Sequence, residues 1–235
     1  MGATAELLAA RLAAVESVGD VEAILVDDGA LPFETESLDL VASALTLQLV
    51  NDLPGAFAQI RRALKPDGLM LAALLGGETL KELKESWLVA EDETTGGASP
   101  RVAPFADVRV LGGLLQRAGF ALPVADSEIV TARYNSALAL MRELKGMGAS
   151  NMLSARRRMP VTRALLMRAA AIYTERFSDP DGRVRATFEI ITLTGWAPHE
   201  SQQKPLAPGS ATARLADALG VAEQPAEENS PKPEK

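Results

Sequence analysis

The sequence predicts an α/β protein whose central sheet contains parallel strands. Three short apolar runs followed by turn residues, at 23–26, 40–45 and 69–75, have the continuity of strands that are buried on both faces. A helix with apolar residues at i, i+3 and i+7 connects the second run to the third. Strand, helix and strand joined by tight turns are typical of βαβ units, and this order of elements predicts the α/β class.

The first half of the chain supplies its elements in order. Residues 4–15, rich in alanine and leucine, are predicted to form a helix ahead of the first strand. The connecting helix is assigned to residues 54–64, with Pro54 in its first turn. Residues 65–68, Lys-Pro-Asp-Gly, predict a turn before the third strand begins.

An amphipathic helix is predicted after Gly76-Gly77, the pair that ends the third strand. Glu82 is expected on the solvated side of this helix. Its apolar face carries Leu80, Leu83 and Trp87. A further helix at 106–118 is predicted to end at Gly119, a glycine in the position that commonly terminates helices.

The second half predicts the last two strands, at 124–134 and 186–196. Alternation of apolar and polar residues indicates that these strands are less buried than the earlier ones. Two helices lie between them, at 136–145 and 161–177. A connection of this length with its own helices is an insertion, so a helical insertion of about 136–177 is expected before the last strand.

Residues 1–221 are predicted to form one domain, because residues 222–235 are rich in Glu, Pro and Lys without periodicity and are expected to be disordered. The start of the chain lacks the basic and apolar regions of a signal peptide. The longest apolar runs are far shorter than the roughly 20 residues that span a bilayer. We therefore expect a cytoplasmic protein without a membrane span.

Composition argues against several kinds of site. The 235 residues include no cysteine and a single histidine, His199, so disulfides, a thiol nucleophile, a multi-histidine metal site and a histidine-based triad are not expected. The formal charge is 24 − 31 = −7, which disfavours nucleic acid as a partner. No residue stands out as a general base, so catalytic residues stay unassigned.

Acidic residues follow the first predicted strand, where open α/β sheets bind ligands. There Asp27 and Asp28 precede a tight Leu-Pro-Phe turn. A carboxylate at this point can accept a hydrogen bond from a nucleobase amine or a ribose hydroxyl, and Leu31 can pack on an aromatic base. Alternatively, the two aspartates only cap the next turn.

Three strings then carry a family resemblance: Asp27…Leu31-Pro32-Phe33, Ser37-Leu38-Asp39-Leu40-Val41 and Leu64-Lys65-Pro66-Asp67-Gly68. Together they resemble the class I S-adenosylmethionine (SAM) dependent methyltransferases. Four further strings, at 75–80, 96–100, 144–151 and 195–202, look like one clade of that superfamily. That clade includes a mitochondrial complex I assembly factor that hydroxylates an arginine, and the malonyl-carrier-protein methyltransferases of biotin synthesis. The stretch 199–202 and the residues at 208–211 are more like the assembly-factor branch.

The resemblance implies a Rossmann-like SAM methyltransferase sheet with the cofactor across its strand ends. It places Asp27 near the adenine and the backbone amide of Asp28 at the base edge. Ser43 and Ala44, at the end of the second strand, would face the methionine part of SAM. Where relatives usually show His-Trp after that strand, this chain has Gln48-Leu49.

The N-terminal strands of such a sheet look incomplete. The glycine-rich loop expected after the family's first strand is reduced to Gly2, and the acidic residue expected to hold the ribose is not identifiable. Three explanations stay open: a start assigned too far downstream or a truncation, a degenerate protein that has lost SAM, or a second chain that supplies the missing part.

The leading function is therefore a SAM-dependent methyltransferase acting on a small-molecule, carrier-bound or protein substrate. The alternatives are an arginine hydroxylase and assembly factor for respiratory complex I, or a non-catalytic binding protein. A complex I subunit or an acyl carrier protein is the expected protein partner. The basic run at 156–158, followed by Arg163 and Arg168, could dock an acidic partner or merely be a solvated helix entry.

Two glycine-containing loops are candidate edges of the substrate crevice, at 96–101 and 146–151. Their glycines allow close approach or hinge motion. The second loop is equally well explained as the capped end of a helix followed by a turn.

Overall fold

In the computed structural model, residues 31–151, 153–203 and 220 are described. The chain divides into two compact units, residues 1–199 and 200–235, and every element below belongs to the first. The predicted helix at 4–15, the predicted strand at 23–26, Asp27, Asp28 and the predicted disordered tail lie outside the described residues. A domain boundary at residue 221 stays a prediction.

Four strands form one mixed sheet in the described part of the chain: β1 (Leu38–Ala44), β2 (Leu64–Leu75), β3 (Ala121–Tyr134) and β4 (Val184–Trp196). Their order is β1-β2-β4-β3, with β1 parallel to β2 and the other two pairings antiparallel. The α/β class and the predicted βαβ unit are confirmed.

The described residues form five α-helices beside these strands: α1 (Leu53–Ala63), α2 (Lys81–Thr95), α3 (Val108–Arg117), α4 (Ala137–Gly146) and α5 (Arg163–Phe177). Four of them begin at a side chain that accepts a backbone N–H of the first turn, namely Asp52, Asp107, Ser136 and Thr162. Such caps satisfy amides that have no partner within the helix. All five were predicted, and α4 and α5 form the helical insertion before β4.

The core lies on both faces of the sheet. Alternate residues of β2 pack against α1 and α3, where Phe57 and Leu111 are fully buried. On the other side α2, α4 and α5 pack together over the start of β4, with Tyr173 at their centre. A strand covered on both faces needs a continuous apolar run, which is what 69–75 provides.

Three local predictions are wrong. Strand β4 is buried along nearly its whole length, because it lies between β2 and β3 rather than at an edge. Residues 65–68 do not end an element; they form an irregular stretch of β2, with Asp67 at a φ of 65° and the pairing with β1 shifted there. Glu82 is only 5% exposed, because its carboxylate accepts hydrogen bonds from the backbone N–H and hydroxyl of Thr187.

Candidate functional site

The carboxyl ends of the parallel strands β1 and β2 lie side by side, with Ser43 opposite Ala72 and Ala44 opposite Ala73. Ligands of open α/β sheets bind at this edge. The side chain of Ser43 is half-buried and that of Ala44 is exposed. Small side chains therefore leave the end of β1 open to an approaching ligand.

The chain turns sharply directly after this strand. Leu45 has a φ of 53°, a left-handed conformation that is uncommon for a residue with a branched side chain. Its N–H donates to the carbonyl of Ala73 at 2.8 Å, which holds the turn against β2. Strained backbone held by its surroundings is characteristic of ligand sites. The Ser43 hydroxyl makes no hydrogen bond within the described part of the chain and is available to a ligand.

A cavity of about 160 Å³ opens next to this turn. Its lining residues are Leu47, Gln48, Val50, Leu53, Leu74, Leu75, Pro104, Phe105, Ala106 and Leu111. Among the lining residues that the structure describes, Gln48 is the one with a polar side chain. A larger, wide-open hollow of about 420 Å³ lies between α3 and β3, away from the strand ends, and we regard the smaller cavity as the functional one.

The amide of Gln48 has a fixed orientation in this cavity. Its Nε2 donates to the carbonyl oxygen of Leu45 at 2.7 Å. Its Oε1 is buried and accepts no hydrogen bond from the residues that the structure describes. A buried acceptor left without a donor costs about 1–3 kcal/mol. The folded chain therefore carries this cost at Gln48.

The turn at Gly76-Gly77 follows Leu75, a residue of the cavity lining, and packs against a buried carboxylate. A Cβ on Gly76 would lie 2.4 Å from the carboxyl carbon of Glu189, and a Cβ on Gly77 would lie 3.7 Å from the carbonyl oxygen of Phe105. Glu189 accepts hydrogen bonds from the hydroxyl of Ser127 at 2.6 Å and from the amide of Glu78 at 2.9 Å. The carboxylate thus fixes the turn that ends β2.

The loop at 96–101 is held by a second buried carboxylate, that of Glu91. It accepts hydrogen bonds from the backbone N–H of Ser99 at 2.6 Å and from Nε of Arg101 at 2.8 Å. The side chain of Glu91 is fully buried, and the guanidinium carbon of Arg101 lies 5.0 Å from the ring centre of Trp87. Burial alone would raise the pKa of Glu91, but the hydrogen bonds from Ser99 and Arg101 outweigh it and lower that pKa.

The two glycine-containing loops contact each other. The side-chain Nδ2 of Asn151 donates to the carbonyl of Pro100 at 2.8 Å. The start of the second loop is also a helix cap, since Gly148 has a φ of 77° and the N–H of Ala149 donates to the carbonyl of Leu144. The helix-cap interpretation of this segment is confirmed, and its role at the edge of a substrate crevice stays a prediction.

Leu31 lies near α1 in this structure. Its backbone N–H donates to Oε1 of Gln59 at 2.8 Å, and its half-buried side chain packs against the core on the α1 side of the sheet. Asp27 and Asp28 are outside the described residues, so their roles at the adenine stay predictions.

The basic run at 156–158 is exposed and, with Arg163, forms no ion pair with a carboxylate of the described chain. Arg168 differs, because it pairs with Glu93 and Glu175. Exposed Met159 and Val161 stand within the same stretch. We name residues 156–163 the basic ridge.

Three other features concern the chain as far as the structure describes it. No described helix is long and apolar enough to cross a membrane. The described residues contain no cluster of three or more metal-ligating side chains. His199 is exposed, and Trp87, Trp196, Tyr134 and Tyr173 are core or half-buried residues, as their sequence contexts predict.

Sequence reasoning missed the buried carboxylates Glu91 and Glu189 and the orphaned acceptor of Gln48. Glu91 follows Trp87 by four positions, which places it on the apolar face of α2, and that spacing was the available signal. Glu189 alternates with apolar residues in β4 and looks like a solvated position. Nothing in the sequence marks Gln48 as buried.

Comparisons with known proteins find a methyltransferase family model and two groups of curated relatives. A family model described as a methyltransferase domain matches residues 3–72. The chain is 44% identical to arginine-hydroxylase NDUFAF5, mitochondrial, of Danio rerio over 83% of this chain and 61% of that protein. It is 38% identical to malonyl-[acyl-carrier protein] O-methyltransferase of Halorhodospira halophila over 74% of this chain and 57% of that protein.

Among solved structures, the YcgJ protein of Bacillus subtilis matches with a TM-score of 0.46 at 12% identity, over 73% of this chain and 68% of that one. The chain spans between about two fifths and three fifths of the length of the curated relatives it matches. The expectation of a cytoplasmic protein is wrong, because the arginine-hydroxylase relatives are mitochondrial. The sequence patterns on which that expectation rested do not distinguish the cytoplasm from a mitochondrion.

Proposed function

We infer that this chain, which belongs to the SAM-dependent methyltransferase superfamily in the clade of the arginine hydroxylases and malonyl-carrier-protein methyltransferases, binds SAM and transfers its methyl group to a protein or carrier-bound acceptor. The observation that carries the proposal is the end of β1. There Ser43 and Ala44 stand at the carboxyl edge of a parallel strand pair, beside a cavity of about 160 Å³.

The described residues at this edge fit the methionine part of SAM. Ala44 is exposed and too small to block a ligand, and the Ser43 hydroxyl is available to the carboxylate or ammonium of an amino acid. When bound, SAM supplies a methyl group activated by its sulfonium. The chain's own contribution is to bind, orient and exclude water.

The adenosine part is assigned to the beginning of the chain. Asp27 would accept hydrogen bonds from the adenine amine or the ribose hydroxyls, and the backbone amide of Asp28 would meet the base edge. Leu31 offers only its side chain to the base, because its N–H already donates to Gln59. These three assignments rest on the family resemblance.

The apolar cavity next to Ser43 and Ala44 would receive the methyl acceptor. Its described lining residues, apolar except for Gln48, would limit the access of water to the reacting groups. Alignment in a dry site is the main catalytic contribution expected here, which is consistent with the lack of an assigned general base.

Calorimetric titration with SAM tests the cofactor proposal. Ala44→Leu should weaken SAM binding strongly, whereas Ala42→Leu, two residues earlier on the same exposed side of β1, should leave the affinity unchanged. Asp27→Ala should also weaken binding. Absence of heat with the unaltered chain at millimolar SAM would overturn the proposal, as would equal effects of the two alanine substitutions.

Arginine hydroxylation is the second candidate, and sequence identity favours it. The arginine-hydroxylase relatives are 44–46% identical to this chain, against 37–39% for the malonyl-carrier-protein methyltransferases. Hydroxylation replaces a C–H bond by C–OH and needs an external oxidant such as molecular oxygen. Mass analysis of a co-expressed partner separates the candidates, because methyl transfer adds one CH₂ and hydroxylation adds one oxygen atom.

The proposed protein substrate is acidic, either a complex I subunit or an acyl carrier protein. The basic ridge supports this proposal, since it concentrates positive charge in a chain whose net charge is −7. Reversing charge with Arg157→Glu and Arg158→Glu should weaken partner capture and make it less sensitive to salt. Arg109→Glu and Arg117→Glu on α3 are the matched control, and equal effects of the two pairs would contradict the assignment.

A further inference from the structure

A path of hydrogen bonds connects the basic ridge to the loop at 96–101. In the ridge, the backbone N–H of Arg156 donates to the carbonyl of Leu153 at 3.2 Å, and Nη1 of the same arginine donates to that carbonyl at 3.0 Å. The N–H of Leu153 donates to Oδ1 of Asn151 at 3.1 Å. Nδ2 of Asn151 donates to the carbonyl of Pro100 at 2.8 Å. The ridge and the loop are therefore joined through one asparagine side chain.

The loop that Asn151 contacts leads on to the cavity at the end of β1. Its residues Ser99 and Arg101 are held by the buried carboxylate of Glu91. A few positions later, residues 104–106 supply three side chains to the cavity lining. A segment this short has few soft torsions between the contact with Asn151 and the lining, so a displacement of that contact changes the position of the lining.

We propose that Asn151 is a positioning residue that couples the basic ridge to residues 104–106 of the cavity lining, so that an acidic partner bound at the ridge changes the position of this part of the lining. The inference rests on the proposed function, since the ridge is the proposed docking surface and the cavity is the proposed acceptor site. It gives the helical insertion a second role besides docking, because partner binding is then communicated to the place where the acceptor group enters.

The guanidinium of Arg156 supplies the physical cause of the coupling. Without a partner it donates to the neutral carbonyl of Leu153. A carboxylate of an acidic partner is a stronger acceptor for this cation, because it carries the opposite charge and can accept two parallel N–H bonds. The partner then withdraws Nη1 and leaves the Leu153 carbonyl with the backbone donor of Arg156. The free and bound states thus differ at a bond of the path, and coupling requires such a difference.

An asparagine suits this position because its short side chain carries an acceptor and a donor on one rigid amide. Oδ1 binds the insertion through Leu153, and Nδ2 binds the other loop through Pro100. Alanine at position 151 removes both bonds without changing the charge, so the ridge keeps its attraction for an acidic ligand. Asn135, an exposed asparagine between β3 and α4, offers the matched control.

A fluorine reporter on the full chain tests the coupling. Because the chain contains no cysteine, Ala103→Cys provides a single site for a trifluoromethyl tag, at an exposed residue next to the lining residues 104–106. The acidic probe is an oligoglutamate peptide, and an oligoglutamine peptide of the same length is the uncharged comparison. We expect oligoglutamate to shift the fluorine NMR signal to a saturating limit and oligoglutamine to leave it in place. Calorimetry gives the affinity for the peptide separately.

Two pairs of variants separate coupling from binding. Arg156→Gln and Arg157→Gln each remove one positive charge from the ridge, but Arg156 is the one that donates to Leu153, so only the first should reduce the reporter shift, at least about 5-fold at saturating peptide. Asn151→Ala should reduce the shift to the same extent while the peptide affinity stays within about 2-fold. Asn135→Ala should change neither quantity.

Three results would overturn the proposal: an unaltered reporter chain that binds oligoglutamate without a shift, a shift that survives Asn151→Ala, or equal shifts in the two arginine variants. If Asn151→Ala does not fold, the arginine pair still decides. Failure of the peptide to bind at all would overturn the coupling together with the docking role of the ridge. The SAM titration is independent of both, so it reports separately on the proposed function.

Discussion

The Arg101→Met substitution should destabilise the protein, because Glu91 would stay buried without the cation that pairs with it. Glu91 is fully buried and Arg101 is 13% exposed, and Nε of Arg101 donates to Oε1 of Glu91 at 2.8 Å. Methionine keeps the apolar packing of the arginine stem over Trp87 but removes the charge and its donors. The carboxylate then stays in a low-dielectric site, where the backbone N–H and hydroxyl of Ser99 still donate to it.

The magnitude follows from the kind of pair that is broken. Removing one partner of a buried ion pair costs about 3–5 kcal/mol. The backbone N–H and hydroxyl of Ser99 still bind Glu91 in the variant, so we expect the lower end, about 3 kcal/mol. In a chain of this size that corresponds to a fall in Tm of roughly 6–12 °C.

The loss should depend on pH in a defined direction. The pKa of Glu91 lies below its ordinary value of 4.5 in the folded protein, where hydrogen bonds from Ser99 and Arg101 outweigh burial. The stability linked to this carboxylate is therefore present above about pH 4.5 and is lost as the pH falls through the lowered pKa. In the variant the pKa of Glu91 rises, so the difference from the unaltered protein should shrink as the pH drops below 4.5.

Urea unfolding followed by circular dichroism measures both effects, and it avoids Trp87 as a probe because the substitution changes its surroundings. Arg168→Met is the matched control, since Arg168 and Glu93 form an ion pair at 2.6 Å in which both side chains are about 40% exposed. That variant should lose far less stability. Equal losses for the two arginines, or a loss from Arg101→Met that does not shrink at low pH, would refute the reasoning.

The remaining predictions concern packing, titration and a helix cap. Gly76→Ala should destabilise the protein by about 1–3 kcal/mol, because the added Cβ would overlap the carboxyl of Glu189. Gly113→Ala in α3, where the added Cβ would meet open space, should stabilise the protein by about 0.5–1 kcal/mol in the same urea assay. Burial raises the pKa of Tyr173 and of Tyr134. An alkaline absorbance titration should therefore show neither tyrosine ionising at its ordinary pKa of 10, and the stability of the protein should fall as the pH rises above 10. A phenolate signal near pH 10 in folded protein would contradict this. Ser136→Ala removes the cap of α4 and should cost about 1 kcal/mol, while an unchanged Tm would show that the cap contributes nothing.

The sequence predicts the fold well where one physical signal dominates. The run at 69–75 is apolar without interruption because β2 is covered on both faces, and the helix α1 follows from the spacing of Phe57 and Ile60 together with Pro54. The position of β4 could not be predicted in this way. Its alternation is typical of an edge strand, and the pairing with β2 and β3 that buries it is a long-range property.

The candidate site is less visible in the sequence than the fold. Its strand-end location and small residues, Ser43 and Ala44, follow from the family resemblance. Gln48 lines one cavity with Pro104 and Phe105, which come more than fifty positions later, so no local pattern indicates this cavity. Glu82 illustrates the same limit, because its partner Thr187 is 105 positions away.

The hydrogen bonds between the turn after β2 and strand β4 have a consequence for folding during translation. The Thr79 hydroxyl and the Glu78 amide both donate hydrogen bonds to Glu189, which is separated from them by 110 and 111 positions. During translation the apolar β2 is therefore complete long before its central neighbour leaves the ribosome. A nascent chain in this interval exposes the apolar surface of β2. Its folding yield should therefore depend on chaperones that bind this surface until β4 has been synthesised.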